Sequence, residues 1–251
     1  MISTAIQELI APTYQGTDPV FNAAFSLWRS HLVSNIRNRS SLPFNRYQTG
    51  IDADLLRIAR EHVSSYSKLT DAPVWITLTH PLYLFLTHPD LITKRNERDA
   101  GKYLQNLTAL LSTSFSRDKV NIVLFETLHH YAAASSRLLE QGLVDGVVFT
   151  EYDSGEVLNR SDLGSNRTFY AGGGYNERCF TSSLENIRKT TRAPISVVKD
   201  LVIDSPQDRI NGLFTNRIGW PEEMPARRRV IKLGQLQAMI GNPEIMSSTR
   251  V

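Results

Sequence analysis

Short apolar runs alternate with helical patterns through the middle of the chain, from about residue 72 to residue 204. The runs are rich in β-branched and aromatic residues and occupy positions 74–78, 120–125, 146–149, 168–171 and 195–203. The segments between them carry apolar residues at helical spacing. This alternation is typical of βαβ units, in which helices cover both faces of a parallel sheet. The sequence therefore predicts a three-layer α/β fold with a mostly parallel sheet of about five strands.

The segments on either side of this region have different patterns. Residues 1–70 predict helices, the first beginning at Asp18-Pro19 and the second running over 54–69. We expect this helical segment to pack on an α/β core formed by residues 71–204. Residues 205–251 predict an irregular extension with one short helix over 232–240. The extension holds seven basic and four acidic residues, and therefore carries the whole net charge of +3.

Composition excludes several classes of protein. The chain has 251 residues, 41% of them apolar, which is enough for a real core, but no apolar run long enough to span a membrane. The start lacks the basic region of a secretory signal, so we expect a cytoplasmic location. A single cysteine excludes an internal disulfide or a cysteine-rich zinc site, and no histidine spacing predicts a metal ligand set. We expect no cofactor.

The distribution of charge along the chain also constrains which partners the protein can bind. Outside the basic extension the chain has 28 − 7 = 21 basic and 25 − 4 = 21 acidic residues. A neutral body does not provide the basic stripe that nucleic-acid binding needs. We therefore expect a small-molecule ligand rather than nucleic acid, and no membrane partner. Assembly into homo-oligomers is left open.

Polar residues follow the predicted strands at the edge where ligands bind in open parallel sheets, outside the carboxyl ends of the strands. His80 follows the first strand and is the best placed histidine for acid–base chemistry. Glu126 ends the second strand and lies close enough in sequence to contact His129, although it could also accept from the amides that open the next helix. Glu151 and Asp153 follow the third strand and are candidate ligand contacts.

The fourth strand leads into a glycine triplet and the only cysteine. Gly173 and Gly174 allow a tight turn and a close approach to a ligand. Asn176 is a candidate N-cap and ligand contact, which would place Cys179 at the third position of the next helix. There the positive end of the helix dipole favours a thiolate, and free amides could hold an oxyanion. The alternative is that Cys179 is a buried apolar residue.

The segment 173–179, Gly-Gly-Tyr-Asn-Glu-Arg-Cys, resembles the nucleophile turn of the isochorismatase-like cysteine hydrolases. The similarity covers about sixty residues, with glycine and cysteine matching outright. It implies a thiolate that attacks an amide or similar carbon before water releases the product. That family activates its cysteine with an aspartate near the first strand and a lysine past a middle strand. Here the corresponding positions hold Thr79-His80 and Glu151.

Two functional hypotheses follow. The first is a small-molecule hydrolase with Cys179 as nucleophile and histidine and carboxylate groups as acid–base partners. Its substrate would be a small amide, imide or vinyl ether. The second is a non-catalytic Rossmann-like module that binds a nucleotide-like ligand or a protein partner at the same edge of the sheet.

Overall fold

The structure is a computed structural model that describes residues 49–87, 91–151, 155–164, 167–191, 193–205, 212–214, 217–221 and 229–241. The first predicted helix, which begins at Asp18-Pro19, lies outside the described residues. The second predicted helix is α1, Thr49–Tyr66. Within the described residues, no helix is both long and apolar enough to cross a membrane.

The sheet has six parallel strands in the order β3-β2-β1-β4-β5-β6. The strands are β1 (Val74–Thr79), β2 (Val120–Thr127), β3 (Gly146–Thr150), β4 (Thr168–Gly174), β5 (Ile195–Ile203) and β6 (Arg229–Ile231). Five of them coincide with the predicted apolar runs. The sixth, β6, lies in the segment predicted to be irregular, because three residues with two exposed side chains leave no apolar pattern to detect.

Helical segments connect the strands. They are α2 (Tyr83–Thr87), α3 (Glu97–Leu111), α4 (Leu128–His130), a π-turn (Tyr131–Ser135), α5 (Ser136–Glu140), a 3₁₀ turn (Arg160–Leu163), α6 (Cys179–Thr191) and α7 (Leu233–Gly241). The short helix predicted over 232–240 is α7. Together with the parallel sheet, these helices confirm the predicted α/β fold.

Side chains that alternate along the strands enter two separate apolar clusters, as the period of two in a strand requires. On β1, Val74, Ile76 and Leu78 belong to a cluster shared with α1, α3, α5 and α7, whereas Trp75 belongs to a second cluster shared with α6. The sheet therefore lies between two helical layers. The connections that follow β1 and β2 pack on one face, and the helix that follows β4 packs on the other.

Candidate functional site at the carboxyl ends of the strands

The connections from β1 and β4 leave the sheet toward opposite faces, although these two strands are hydrogen-bonded neighbours. This is the topological switch point of a doubly wound sheet, where the diverging connections create a ligand crevice in α/β proteins. His80 follows β1 and Tyr175 follows β4 at this position. We call the region between these two strand ends the crevice.

Two histidines, a glutamate and two hydroxyls meet beside the crevice, and all five residues are buried. The His80 Nε2 lies 2.8 Å from the Thr150 Oγ1, and the His130 Nδ1 lies 3.3 Å from the Glu126 Oε1. The Ser135 hydroxyl donates to the other Glu126 oxygen at 2.8 Å. We call His80, Glu126, Ser135, His130 and Thr150 the acid–imidazole cluster. It joins the carboxyl ends of β1, β2 and β3.

His80 occupies a special position within this cluster. Its backbone has φ +42°, a left-handed conformation that is uncommon for residues other than glycine and is often found at functional sites. Burial lowers the pKa of His80 to about 4, against an opposing effect of Glu126 and with a smaller lowering by His130. The imidazole is therefore neutral at pH 7. Its Nδ1 has no hydrogen-bond partner among the described residues.

The π-turn explains how the cluster is assembled around Glu126. Thr127 caps α4, since its hydroxyl oxygen accepts from the His130 amide at 3.1 Å. The wider π-turn then carries Ser135 back to the glutamate, and turns of this kind are frequent at functional sites. Glu126 also accepts from the Thr127 amide at 3.0 Å, the helix-opening contact that the sequence left as an alternative.

The histidine that contacts Glu126 is His130, at the i+4 position. The side chain of His129, the predicted partner of Glu126, lies outside the described residues. A search of the residues that follow strands does not find His130. Its contact with Glu126 depends on how α4 turns. Thr150 is the last residue of β3 and could have been found by the same search of strand ends that identified His80.

Aromatic rings fill the crevice. Tyr83 packs perpendicular to Tyr175 at 5.2 Å between ring centroids and perpendicular to His130 at 4.8 Å. Both tyrosines are buried. Beneath them, Tyr103 donates from its hydroxyl to the Pro81 carbonyl at 3.0 Å, and burial raises its pKa, with a further contribution from Glu126. The crevice is closed by aromatic side chains in this conformation.

The glycine triplet ends β4. The sequence predicts a tight turn at Gly173 and Gly174, but both are the last residues of the strand and are buried. Their role as ligand contacts stays a prediction. A Cβ on Gly173, which has φ +123°, would lie 2.0 Å from the Thr79 carbonyl oxygen. A Cβ on Gly174 would lie 2.7 Å from Ile203. These glycines therefore allow β4 to pack tightly between β1 and β5.

The start of α6 also differs from the prediction. The helix begins at Cys179, three residues beyond Asn176, so the predicted cap places its start too early. The Asn176 amide instead donates to Asp204 at 2.8 Å and to the Arg217 carbonyl at 3.1 Å, and its oxygen accepts from the Gly219 amide at 2.8 Å. Asn176 therefore ties the end of β4 to the end of β5 and to the segment 217–219.

Cys179 is the first residue of α6 and is 5% exposed. Its carbonyl accepts from the Ser183 hydroxyl at 3.0 Å, and its backbone packs so closely on Gly155 that a Cβ there would lie 2.2 Å from the Cys179 oxygen. The neighbouring amides of Arg178 and Phe180 both donate to the Tyr175 carbonyl at 3.2 Å. Two amides at the helix start, where the sequence suggests that an oxyanion could be held, are thus bonded within the turn.

The residues after β3 are placed only in part. Glu151 is exposed, and its amide donates to the Glu156 carbonyl at 2.7 Å as the chain folds back on β3. Asp153 lies outside the described residues. Gly155 has φ +67°, a conformation that glycine adopts without steric cost. Glu151 is not among the contacts of the acid–imidazole cluster.

Among the cavities lined by described residues, two lie beside the sheet. One of about 280 Å³ lies beside the start of α6 and is lined by Glu177, Thr181, Arg217, Ile218, Gly219 and Trp220. Cys179 is not part of its wall, since residues 179 and 181 point about 200° apart on a helix. A cavity of about 480 Å³ lies at the opposite edge of the sheet, lined in part by Phe115, Arg117 and Asp145. Ligands in parallel sheets bind at the carboxyl edge, so the second cavity is not the expected site.

The described residues contain no group of three or more histidine, cysteine or acidic side chains arranged to hold a metal ion. Comparison with protein-family models, curated proteins and solved structures finds no match to this chain. The fold and the crevice define an α/β protein with a six-stranded parallel sheet and a polar cluster at its switch point. Its function is inferred from the residues of that cluster.

Proposed function

We propose that the protein is a small-molecule hydrolase whose acid–base chemistry is carried by His80 and Glu126. One observation carries the proposal: a fully buried imidazole at the switch point has a nitrogen with no hydrogen-bond partner among the described residues. Buried polar atoms are nearly always hydrogen-bonded, so an exception at a crevice is a position for a ligand atom. The resemblance of residues 173–179 to isochorismatase-like hydrolases supports hydrolysis as the reaction class.

In this proposal Cys179 is the nucleophile. Its sulfur attacks the carbonyl carbon of a small amide or imide, and its proton passes through the bound substrate or water to the neutral imidazole of His80, since α6 and the cluster pack on opposite faces of the sheet. The imidazolium then returns the proton to the leaving nitrogen, and water hydrolyses the thioester to release the acid and restore the thiol. Glu126 stabilises the transient imidazolium, since its negative charge favours the protonated form.

A second candidate is a non-catalytic Rossmann-like module that binds a ligand or partner at the same edge. The small exposure of Cys179 favours it, because a thiol that is only 5% exposed is poorly placed to attack a substrate. The residues at the family's aspartate and lysine positions, His80 and Glu151, also favour it. The roles of the glycines in strand packing argue against a phosphate cradle within this alternative.

Alkylation of the only cysteine separates the two candidates. We expect iodoacetamide to modify Cys179 in the folded protein, with a rate that rises with pH and decreases when His80 is replaced by Asn. Mass spectrometry identifies the product without ambiguity because the chain has one cysteine. The same reaction in urea provides the rate for the free thiol. If the folded protein resists modification while the urea-unfolded protein reacts, the result would contradict the role of Cys179 as nucleophile and favour the binding module.

A further inference from the structure

The charge of the crevice constrains what it can bind. Glu126 is fully buried in the acid–imidazole cluster beside the crevice, and both carboxylate oxygens accept hydrogen bonds, from the Thr127 amide and the Ser135 hydroxyl. Glu126 therefore acts as a hydrogen-bond acceptor at both oxygens. An anionic ligand beside this carboxylate would meet like-charge repulsion in a region of low dielectric.

One described base beside Glu126 can offset that charge: His130, whose Nδ1 lies 3.3 Å from Oε1, so the cluster is at most neutral and not positive. Burial keeps His80 neutral at pH 7. His130 and the hydroxyls complete the described cluster, which contains no lysine or arginine. At the surrounding edge, Glu151 and Glu177 are exposed acids, and Arg178 and Arg217 are exposed bases. Solvent screens such exposed groups more strongly than the buried carboxylate.

Backbone amides give little help to an anion. Gly173 and Gly174 are paired within the sheet, and the amides of Arg178 and Phe180 donate to the Tyr175 carbonyl. The glycine pair and two of the amides at the helix start, which could have formed part of an anion cradle, are therefore already used in the fold. Donor groups on a ligand would instead meet acceptors at the cluster.

We propose that the crevice selects planar ligands that are neutral or cationic and excludes anions. The proposal rests on the ligand site proposed above and adds its charge preference. We expect a planar ligand because of the aromatic walls. Such a ligand could replace the edge-to-face contacts among Tyr83, Tyr175 and His130 with its own contacts to these rings. A ligand that enters must part the two tyrosines.

Three probes of one shape test this preference: benzamidine, benzamide and benzoate, which are cationic, neutral and anionic. Thermal unfolding at pH 8 and fixed ionic strength measures binding of each to the intact protein. We expect benzamidine and benzamide to raise Tm by about 2–4 °C near saturation. We expect benzoate to bind at least about tenfold more weakly.

Two variants test whether the charge preference arises from Glu126 and whether the probes bind in the crevice. Glu126→Gln keeps the shape of the side chain and removes its charge, so benzoate should approach benzamide in affinity. Tyr175→Ala removes one wall and should weaken all three probes. The comparison in the unchanged protein remains decisive even where a variant does not fold.

Benzoate binding that equals or exceeds that of benzamide would overturn the charge preference while leaving the ligand site in place. Binding of benzamidine that is unchanged in both variants would place the probe elsewhere and overturn the inference. Failure of all three probes to bind would also overturn it. Alkylation of Cys179, which needs no ligand, reports separately on the proposed hydrolase.

Discussion

A single histidine combines the unusual features of this site. His80 has a left-handed backbone, is fully buried, and contacts Thr150 across the end of the intervening strand β2. Its place after a strand could be predicted from sequence. Its burial and its contact with β3 could not, since both depend on the order of the strands in the sheet.

The lowered pKa of His80 predicts how stability depends on pH. The unfolded chain, with a pKa near 6.5, binds a proton before the folded protein does at about 4. The free energy of unfolding should therefore decrease as the pH falls from about 6.5 to 4, by up to about 3 kcal/mol from this residue. Urea unfolding at pH 7, 5.5 and 4 measures the decrease.

His80→Asn is the matched control for this prediction, because asparagine tolerates a left-handed φ and does not titrate in this range. The variant should lose less stability between pH 7 and pH 4 than the natural protein. Equal losses would show that other groups account for the acid sensitivity.

At the scale of elements, a buried network fastens α1 to the segment that builds the site. His62 on α1 places Nδ1 2.7 Å from the Tyr131 hydroxyl and Nε2 3.0 Å from the Glu140 carboxylate. Tyr131 opens the π-turn that carries Ser135 to Glu126. The N-terminal helix therefore supports the geometry of the acid–imidazole cluster from a distance.

Replacing His62 by Leu should cost about 3–5 kcal/mol of unfolding free energy, because it removes a shared partner from a buried hydroxyl and a buried carboxylate. Tyr131→Phe removes one hydroxyl and should cost about 1–2 kcal/mol. Arg57→Ala on the same helix breaks only an exposed ion pair with Glu61, and should change stability by less than about 1 kcal/mol. Equal effects of all three variants in urea unfolding would contradict a special role for His62.

At the scale of the whole molecule, the end of the chain belongs partly to the core. β6 extends the sheet beside β5, and α7 contributes Leu233, Leu236, Met239 and Ile240 to the larger apolar cluster. The Leu233 amide donates to the Asp200 carboxylate at 2.9 Å, which joins α7 to β5. The described parts of residues 205–251 therefore pack as elements of the α/β fold.

A pair of substitutions tests whether α7 and β6 contribute to the stability of the core. Leu236 is fully buried, so Leu236→Ala should lower the free energy of unfolding by about 2–5 kcal/mol. Val230 on β6 is 45% exposed, and Val230→Ala should cost less than about 1 kcal/mol. Thermal or urea unfolding measures both. A cost at Leu236 as small as that at Val230 would show that α7 contributes little to the stability of the core.

The sequence predicted five of the six strands, helical segments between them and the edge of the sheet where polar residues gather. These features depend on local periodicity and on the rule that parallel strands end together. His80 and Glu126 are found at that edge for the same reason. The glycines could not be interpreted in this way, because a turn and a tightly packed strand end require the same absence of a side chain.

The fold class was determined by the sequence alone, since apolar periods of two and 3.6 residues act within one segment at a time. Tertiary structure decided which polar groups meet. The strand order brought Thr150 to His80, α4 and the π-turn brought His130 and Ser135 to Glu126, and packing brought Gly155 against the Cys179 backbone. These contacts depend on strand order, on the width of one helical turn and on packing between segments, and no pattern of apolar residues encodes them.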